Sequence, residues 1–365
     1  MHQPPREPEP DASVIDSGVP EDAGFCGEEF LREVNNAPTL YFVVDRSGSM
    51  SEEIPGSILS KYQAARSTLA DVLKSLGHRL RYGAAVFPPW NTTTGCEPGE
   101  EIFETRLGDP PSFAVANELG PELRALLDRL GAAAPEGGTP TAPTLRELTP
   151  MLRALGGDTS VVLMTDGAPN CNAELACSAA ECSLNIEGVA VGGRSCSGTV
   201  NCCDSDQVGE GAEAYCVDSD ASEAALEELA SDGIRTFVVG MPGAEAYADV
   251  LDRLAVAGGT ARNVAEGDAR YYDVRDEAEL DEAIREIGTG IAIRCEIELE
   301  EPPAEPALVN VYFDGELVPR DAENGWDWGR EDYTRIEVLG EACERLGSGE
   351  VLEARAVFGC ETVLR

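Results

Sequence analysis

Asp45-Arg46-Ser47-Gly48-Ser49 puts three oxygen-bearing side chains on one tight turn, with Gly48 relieving its sterics. Another oxygen donor, Thr139, lies in the glycine-led loop Gly137-Gly138-Thr139-Pro140-Thr141, and a further one, Asp166, in Met164-Thr165-Asp166-Gly167. Hydroxyls and carboxylates without sulfur or imidazole suit a small hard cation, which for magnesium means near-octahedral geometry at about 2.0–2.1 Å. An aspartate at a strand end is also how magnesium-dependent phosphate-transfer and hydrolase sites present a nucleophile. Here the position two after Asp45 is Ser47, not a second acid able to work as general acid/base. No histidine lies near the motif, and neither Lys61 nor Lys74 is placed along the sequence to neutralise a phosphate. The residue types therefore favour cation binding over catalysis.

The elements that must position these residues can be read from hydrophobic periodicity. Thr39 to Asp45 (TLYFVVD) is almost wholly apolar and β-prone, which predicts a strand buried on both faces, with Asp45 at its end. Further strands are predicted over 81–87, 101–107, 159–165, 234–240 and 271–274. Helices are predicted over 60–76, 118–130, 141–155, 222–231, 244–257 and 277–287. Alternating buried strands and helices specify an α/β domain with a doubly wound, mainly parallel sheet. In such sheets, ligands collect at the carboxyl ends of the strands, near the point where strand order reverses. Asp45 and Asp166 are both expected there.

On these residues the chain resembles the von Willebrand factor type A (vWA) domains with their metal-ion-dependent adhesion site. The Asp-x-Ser-x-Ser loop, the later threonine and the later aspartate occur in the family's order, and the likeness spans roughly Ala37 to Gly290. Carried over by position, Ser47, Ser49 and Thr139 would be direct hydroxyl ligands, and Asp45 and Asp166 would act directly or through water. The resemblance implies a divalent cation, Mg²⁺ foremost with Ca²⁺ or Mn²⁺ as alternatives. It also implies one coordination position left for the carboxylate of a protein partner.

Composition bounds the rest. Of 365 residues, 68 are acidic and 27 basic, a formal charge of −41, which repels phosphate backbones and argues against nucleic-acid binding. Twelve cysteines against two histidines, with only Cys202-Cys203 closely spaced, point to disulfides rather than zinc and to an extracytoplasmic setting, whether cell envelope, periplasm or secreted. No run of about 18 apolar residues is long enough to span a membrane. Residues 1–25, rich in Pro, Glu and Asp, read as a disordered tether. A signal peptide or lipid-anchor signal removed from this sequence would reconcile the disulfides with the polar N-terminus.

Three segments follow in the expected organisation: the tether, a vWA domain over 26–291 carrying a cysteine-rich insertion at 170–216, and a small antiparallel β domain over 292–365 with a hairpin at Asp314-Gly315. The insertion and β domain look like those of cysteine-rich bacterial envelope lipoproteins that carry such a domain. Seven cysteines fall in the insertion, so if all twelve pair within the chain, at least one bond must staple it to another region. Trp326 and Trp328 are expected to pack the β domain, and Trp90 to be a loop anchor or a recognition aromatic. Residues 88–99 and the insertion both begin on the expected metal face, where a partner would approach. The functional expectation is a non-enzymatic, metal-dependent adhesion module. The alternatives are a cation-stabilised structural envelope protein and a Mg²⁺-dependent hydrolase.

Overall fold

The computed structural model describes Arg32–Glu33, residues 37–172 except 94, 115 and 157, scattered residues of 173–215, residues 216–299 except 293–294, and 302–364 except 349–350 and 352–353. The tether at 1–25 and most of the insertion lie outside the described residues. The chain divides into two compact units: Asn36–Cys295 with Arg345–Glu350, and Glu296–Glu344 with Val351–Arg365 and the strand Arg32–Glu33.

The larger unit is built on a six-stranded sheet. Its strands in chain order are β1 (Thr39–Asp45), β2 (Arg81–Phe87), β3 (Glu100–Leu107), β4 (Thr159–Thr165), β5 (Arg235–Gly240) and β6 (Tyr272–Asp273). Across the sheet they lie in the order β3-β2-β1-β4-β5-β6. All neighbours are parallel except β3, which returns antiparallel beside β2 as a hairpin partner. This is the doubly wound α/β fold the alternation predicted. Its principal helices are α1 (Lys61–Leu76), α2 (Pro121–Leu130), α3 (Thr141–Leu155), α4 (Ser219–Ser231), α5 (Ala248–Ala257) and α6 (Glu277–Ala292).

The period-2 alternation of β1 builds both cores. Leu40, Phe42 and Val44 face one side, packing with Leu69 and Val72 of α1, Leu126 of α2 and Ile284 of α6. Tyr41 and Val43 face the other, packing with Leu148 of α3, Leu226 of α4 and Leu251 of α5. With helices on both faces, a central strand can be apolar throughout, and all seven β1 residues are buried. Asp45 is therefore a carboxylate carried into the interior by its strand.

Helix boundaries differ from the periodic reading by a few residues where local chemistry intervenes. Pro121 occupies the first turn of α2 behind Gly120, so the helix starts there rather than at Glu118. Ser60 and Gln63 form a reciprocal capping box that opens α1 at Lys61. Helix α6 runs on to Ala292, five residues past its expected end.

The smaller unit is antiparallel. Arg32–Glu33, Ala354–Phe358, Val309–Phe313 and Glu316–Val318 form one sheet in that order. Glu296–Glu298, Arg335–Val338 and Trp326–Trp328 form a second around the central Arg335–Val338. Asp314 and Gly315 both have positive φ (48° and 83°), the tight-turn geometry their sequence announced. Trp326 is fully buried and its indole N–H donates to Val318 O at 3.0 Å, as expected of a core tryptophan. The strands at 32–33 and 326–328 had no periodic signal, being only two and three residues long.

Candidate metal centre

Strand order reverses between β1 and β4: the chain leaves β1 towards β2 and β3, then crosses back to place β4 on the other flank. The carboxyl ends of β1 and β4 thus open one crevice, and the candidate residues collect around it. Asp45 closes β1. Its Oδ1 accepts the Ser47 backbone N–H at 2.7 Å, and its Oδ2 accepts the Thr165 hydroxyl at 2.6 Å. Ser47 Oγ and Ser49 Oγ lie 3.1 Å apart, and Ser49 Oγ donates to Asp166 Oδ1 at 2.8 Å. Four of the five predicted residues therefore form a single hydrogen-bonded cluster, closed across 117 residues of sequence by the Ser49–Asp166 bond.

Thr139 arrives on a separate loop that backbone hydrogen bonds lock to the first. Glu136 N–H donates to Arg46 O at 2.7 Å, and Gly48 N–H to Gly137 O at 3.0 Å. From the far side, Asn170 takes Thr139 N–H on its Oδ1 (2.8 Å) and donates its own backbone N–H to Thr139 O (2.9 Å). The threonine backbone is thus held at both ends. Its hydroxyl is the exception: Thr139 is fully buried and its Oγ1 has no partner among the described residues. A buried hydroxyl without a partner costs about 1–3 kcal/mol, so its retention calls for a reason.

The glycines of this loop are needed for close approach. Gly137 has φ of 83°, and a Cβ there would stand 2.8 Å from both Cα and O of Gly95. A Cβ on Gly138 would meet Cys171 Sγ at 2.6 Å. Those contacts bring in the Cys96–Cys171 disulfide, whose Cα atoms are 5.1 Å apart. It is a bond of the kind cysteine parity required, joining the insertion to the loop after β2. A second bond, Cys203–Cys216, stays within the insertion. Cys295, Cys343 and Cys360 are also disulfide-bonded.

Three side chains that sequence reasoning missed support the crevice. Arg46, the unassigned second residue of the motif, is fully buried. Its guanidinium donates to Pro88 O (3.0 Å), Pro89 O (2.6 Å), Ala134 O (2.8 Å) and Glu136 Oε1 (2.9 Å). It thereby ties the motif loop to the start of the 88–99 segment and to the loop carrying Thr139. Asn170 is the second. The third is Lys61, weighed from sequence only as a phosphate neutraliser. Its ammonium donates to Asp166 Oδ2 at 2.8 Å and to Glu52 Oε2 at 2.9 Å. The local signal for it was its place at the first position of α1 behind the Ser60 cap, since α1 starts beside the motif loop.

Electrostatics reflect the burial. Burial foremost, then the nearby Asp166 carboxylate, pushes the Asp45 carboxyl up to about 7. Burial also raises Asp166, against the opposing pull of Lys61 and the Ser49 hydroxyl. Two interior carboxylates disfavouring each other's charge are an arrangement that a bound cation would relieve. The donor set fits such an ion: two carboxylates, three hydroxyls, one of these already desolvated and unpartnered, and no sulfur or imidazole. Among the described residues, no group of three His, Cys, Asp or Glu side chains offers a different metal site. Trp90 is a loop anchor, partly buried against the core with the Arg129 guanidinium 4.8 Å from its ring centre.

No protein-family model matches the chain, and no curated protein matches it in sequence. Among solved structures it is similar to the pilus adhesin SpaC from Lactobacillus rhamnosus GG, at a TM-score of 0.44 and 14% identity over 87% of this chain and 38% of that one. It is similar as well to a von Willebrand factor type A protein from Catenulispora acidiphila (TM-score 0.43, 14% identity, 87% of this chain and 56% of that one). A third is the manganese-loaded TRAP protein of Plasmodium vivax (TM-score 0.38, 14% identity, 84% of this chain and 94% of that one). The chain spans 38% of the length of the SpaC adhesin.

Proposed function

We propose that this protein is a non-enzymatic, extracytoplasmic binding module in which Asp45, Ser47, Ser49, Thr139 and Asp166 hold a divalent cation that engages a carboxylate of a protein partner. The observation that carries this reading is the convergence of Asp45, Ser47, Ser49 and Asp166 into one cluster, with the fully buried, unpartnered Thr139 hydroxyl on a loop bonded to it. When bound, Mg²⁺ or a similar ion supplies a Lewis-acidic position for an acidic ligand. The chain's own residues do the rest. Arg46 and Asn170 fix the threonine loop, and Thr165 orients the Asp45 carboxylate. Disulfides, stable in oxidising compartments, support the location. A lipid anchor, the envelope-lipoprotein kinship and the division into tether, vWA domain and β domain belong to this same reading.

Titration of the purified protein with Mg²⁺, Mn²⁺ and Ca²⁺ tests it, followed by capture of an acidic partner with and without chelator. Saturable cation binding that Ser47→Ala abolishes, together with chelator-sensitive capture, is the expected result. Cation binding without any chelator-sensitive partner would favour a cation-stiffened structural role. Absence of binding by all three ions would overturn the proposal.

A further inference from the structure

We propose that Lys61 is a positioning residue that acts as the built-in counter-cation of the metal centre, keeping the metal-free crevice assembled while weakening its affinity for the divalent ion; this rests on the cation reading above. The two oxygens of Asp166 are divided: Oδ1 accepts from Ser49 at 2.8 Å, and Oδ2 from Lys61 Nζ at 2.8 Å. Both charges are withdrawn from water, the Lys61 side chain being 5% exposed and that of Asp166 fully covered. The position is built rather than incidental. Lys61 sits at the start of a capped helix, its N–H donates to Glu52 O at 2.8 Å, and its ammonium is gripped on a second side by the Glu52 carboxylate. Gly243, at φ 109°, lets the loop after β5 pass over it, since a Cβ there would stand 3.1 Å from Nζ.

A fixed ammonium in that place has two effects of opposite sign. It offsets the Asp166 charge when no metal is present, and so spares the apo protein an unpaired buried carboxylate. It also repels an incoming divalent ion at short range and occupies an oxygen that would otherwise be available to it. A purely structural lysine would strengthen both states together.

The test uses the full chain, with Mg²⁺ as the probe. Thermal unfolding in chelator and calorimetric Mg²⁺ titration are compared for wild type, Lys61→Met, Lys61→Arg and Glu52→Gln. K61M is expected to melt lower in chelator yet bind Mg²⁺ tighter by roughly tenfold or more, the scale of one nearby unit charge at an effective dielectric of about 20. K61R, which keeps the charge, should return the affinity to within about threefold of wild type, a shift smaller than the effect of that one charge. E52Q, altering a side chain that is 69% exposed and so folding normally, leaves the ammonium less neutralised and should bind Mg²⁺ more weakly. Binding by wild type with equal or weaker binding by K61M overturns this inference alone. If K61M does not fold, unchanged affinity in E52Q overturns it. Absence of Mg²⁺ binding by wild type and all variants overturns the cation reading and this inference with it.

Discussion

Cys96 and Cys171, 75 residues apart in sequence, are joined by a disulfide that lies against Gly138, one residue from the orphaned hydroxyl of Thr139. The bond stitches the loop after β2 to the start of the insertion, and the Gly137–Thr139 turn is held beside the seam. Gly138 N–H donates to Gly95 O at 2.8 Å on one flank, and Asn170 pairs with Thr139 on the other. The insertion's two ends are also pinned, Asp218 N–H donating to Pro169 O at 2.8 Å. Removing the bond should therefore act on both stability and the site. Cys96→Ser/Cys171→Ser is expected to lose about 2–4 kcal/mol in denaturant unfolding, the usual range for a disulfide closing a long loop. Its Mg²⁺ affinity should fall in the same preparation, measured with the remaining disulfides verified by mass.

Arg46 tests whether the Pro88–Pro89 and Ala134–Glu136 loops depend on one side chain. Arg46→Met keeps the stem and removes the fork, leaving three backbone carbonyls without their donor. Of the three, Pro88 is buried, Pro89 half-buried and Ala134 exposed, so the cost falls mainly on the Pro88 carbonyl, and a loss of about 1–3 kcal/mol is expected. Arg46→Lys should rescue little of it, because an ammonium cannot reproduce the planar fork that reaches three carbonyls and Glu136. Urea unfolding of both variants checks this.

Thr139→Val separates ligand from scaffold. The valine is nearly the same shape, and the hydroxyl it deletes has no partner to lose among the described residues. In chelator the variant should match wild type or exceed it by about 1 kcal/mol, since an unpaired buried hydroxyl is a cost. Added Mg²⁺ should raise the melting temperature of wild type and leave that of the variant nearly unmoved, because only binding to the native state stabilises. A drop in chelator equal to that in Mg²⁺ would mean the hydroxyl serves the fold alone.

Helix α6 is expected to stay fixed when the metal centre is filled. It lies against α1 so closely that a Cβ on Gly288 would stand 2.7 Å from Leu76 Cδ1, and Leu280, Ile284, Ile287 and Ile291 are buried in the core. Gly288→Val should cost about 1–3 kcal/mol through overpacking, read by thermal unfolding. Hydrogen exchange of α6 should be the same with and without Mg²⁺ and acetate; clear loosening would show that the helix slides.

The sequence by itself determined the strands and helices of the larger unit and the residues that end two of its strands. Those features are local: an apolar run such as Thr39 to Asp45 can be satisfied only by a doubly covered strand, and its last residue must stand at the sheet's carboxyl edge. Cysteine parity reached one step further: with all twelve cysteines paired within the chain, a staple must leave the insertion. Only the tertiary structure decided that β1 and β4 are neighbours, so that Asp45 and Asp166 share a crevice. It alone decided that Arg46 turns inward to hold two loops, that Cys96 is the staple's other end, and that Lys61 reaches Asp166 across 105 residues. The physical reason is that these contacts join segments with no periodic relation to one another. An arginine or a lysine looks the same in sequence whether it is solvated or buried. Its role is set by which carbonyls and carboxylates the packed sheet and helices bring within about 3 Å of its nitrogens.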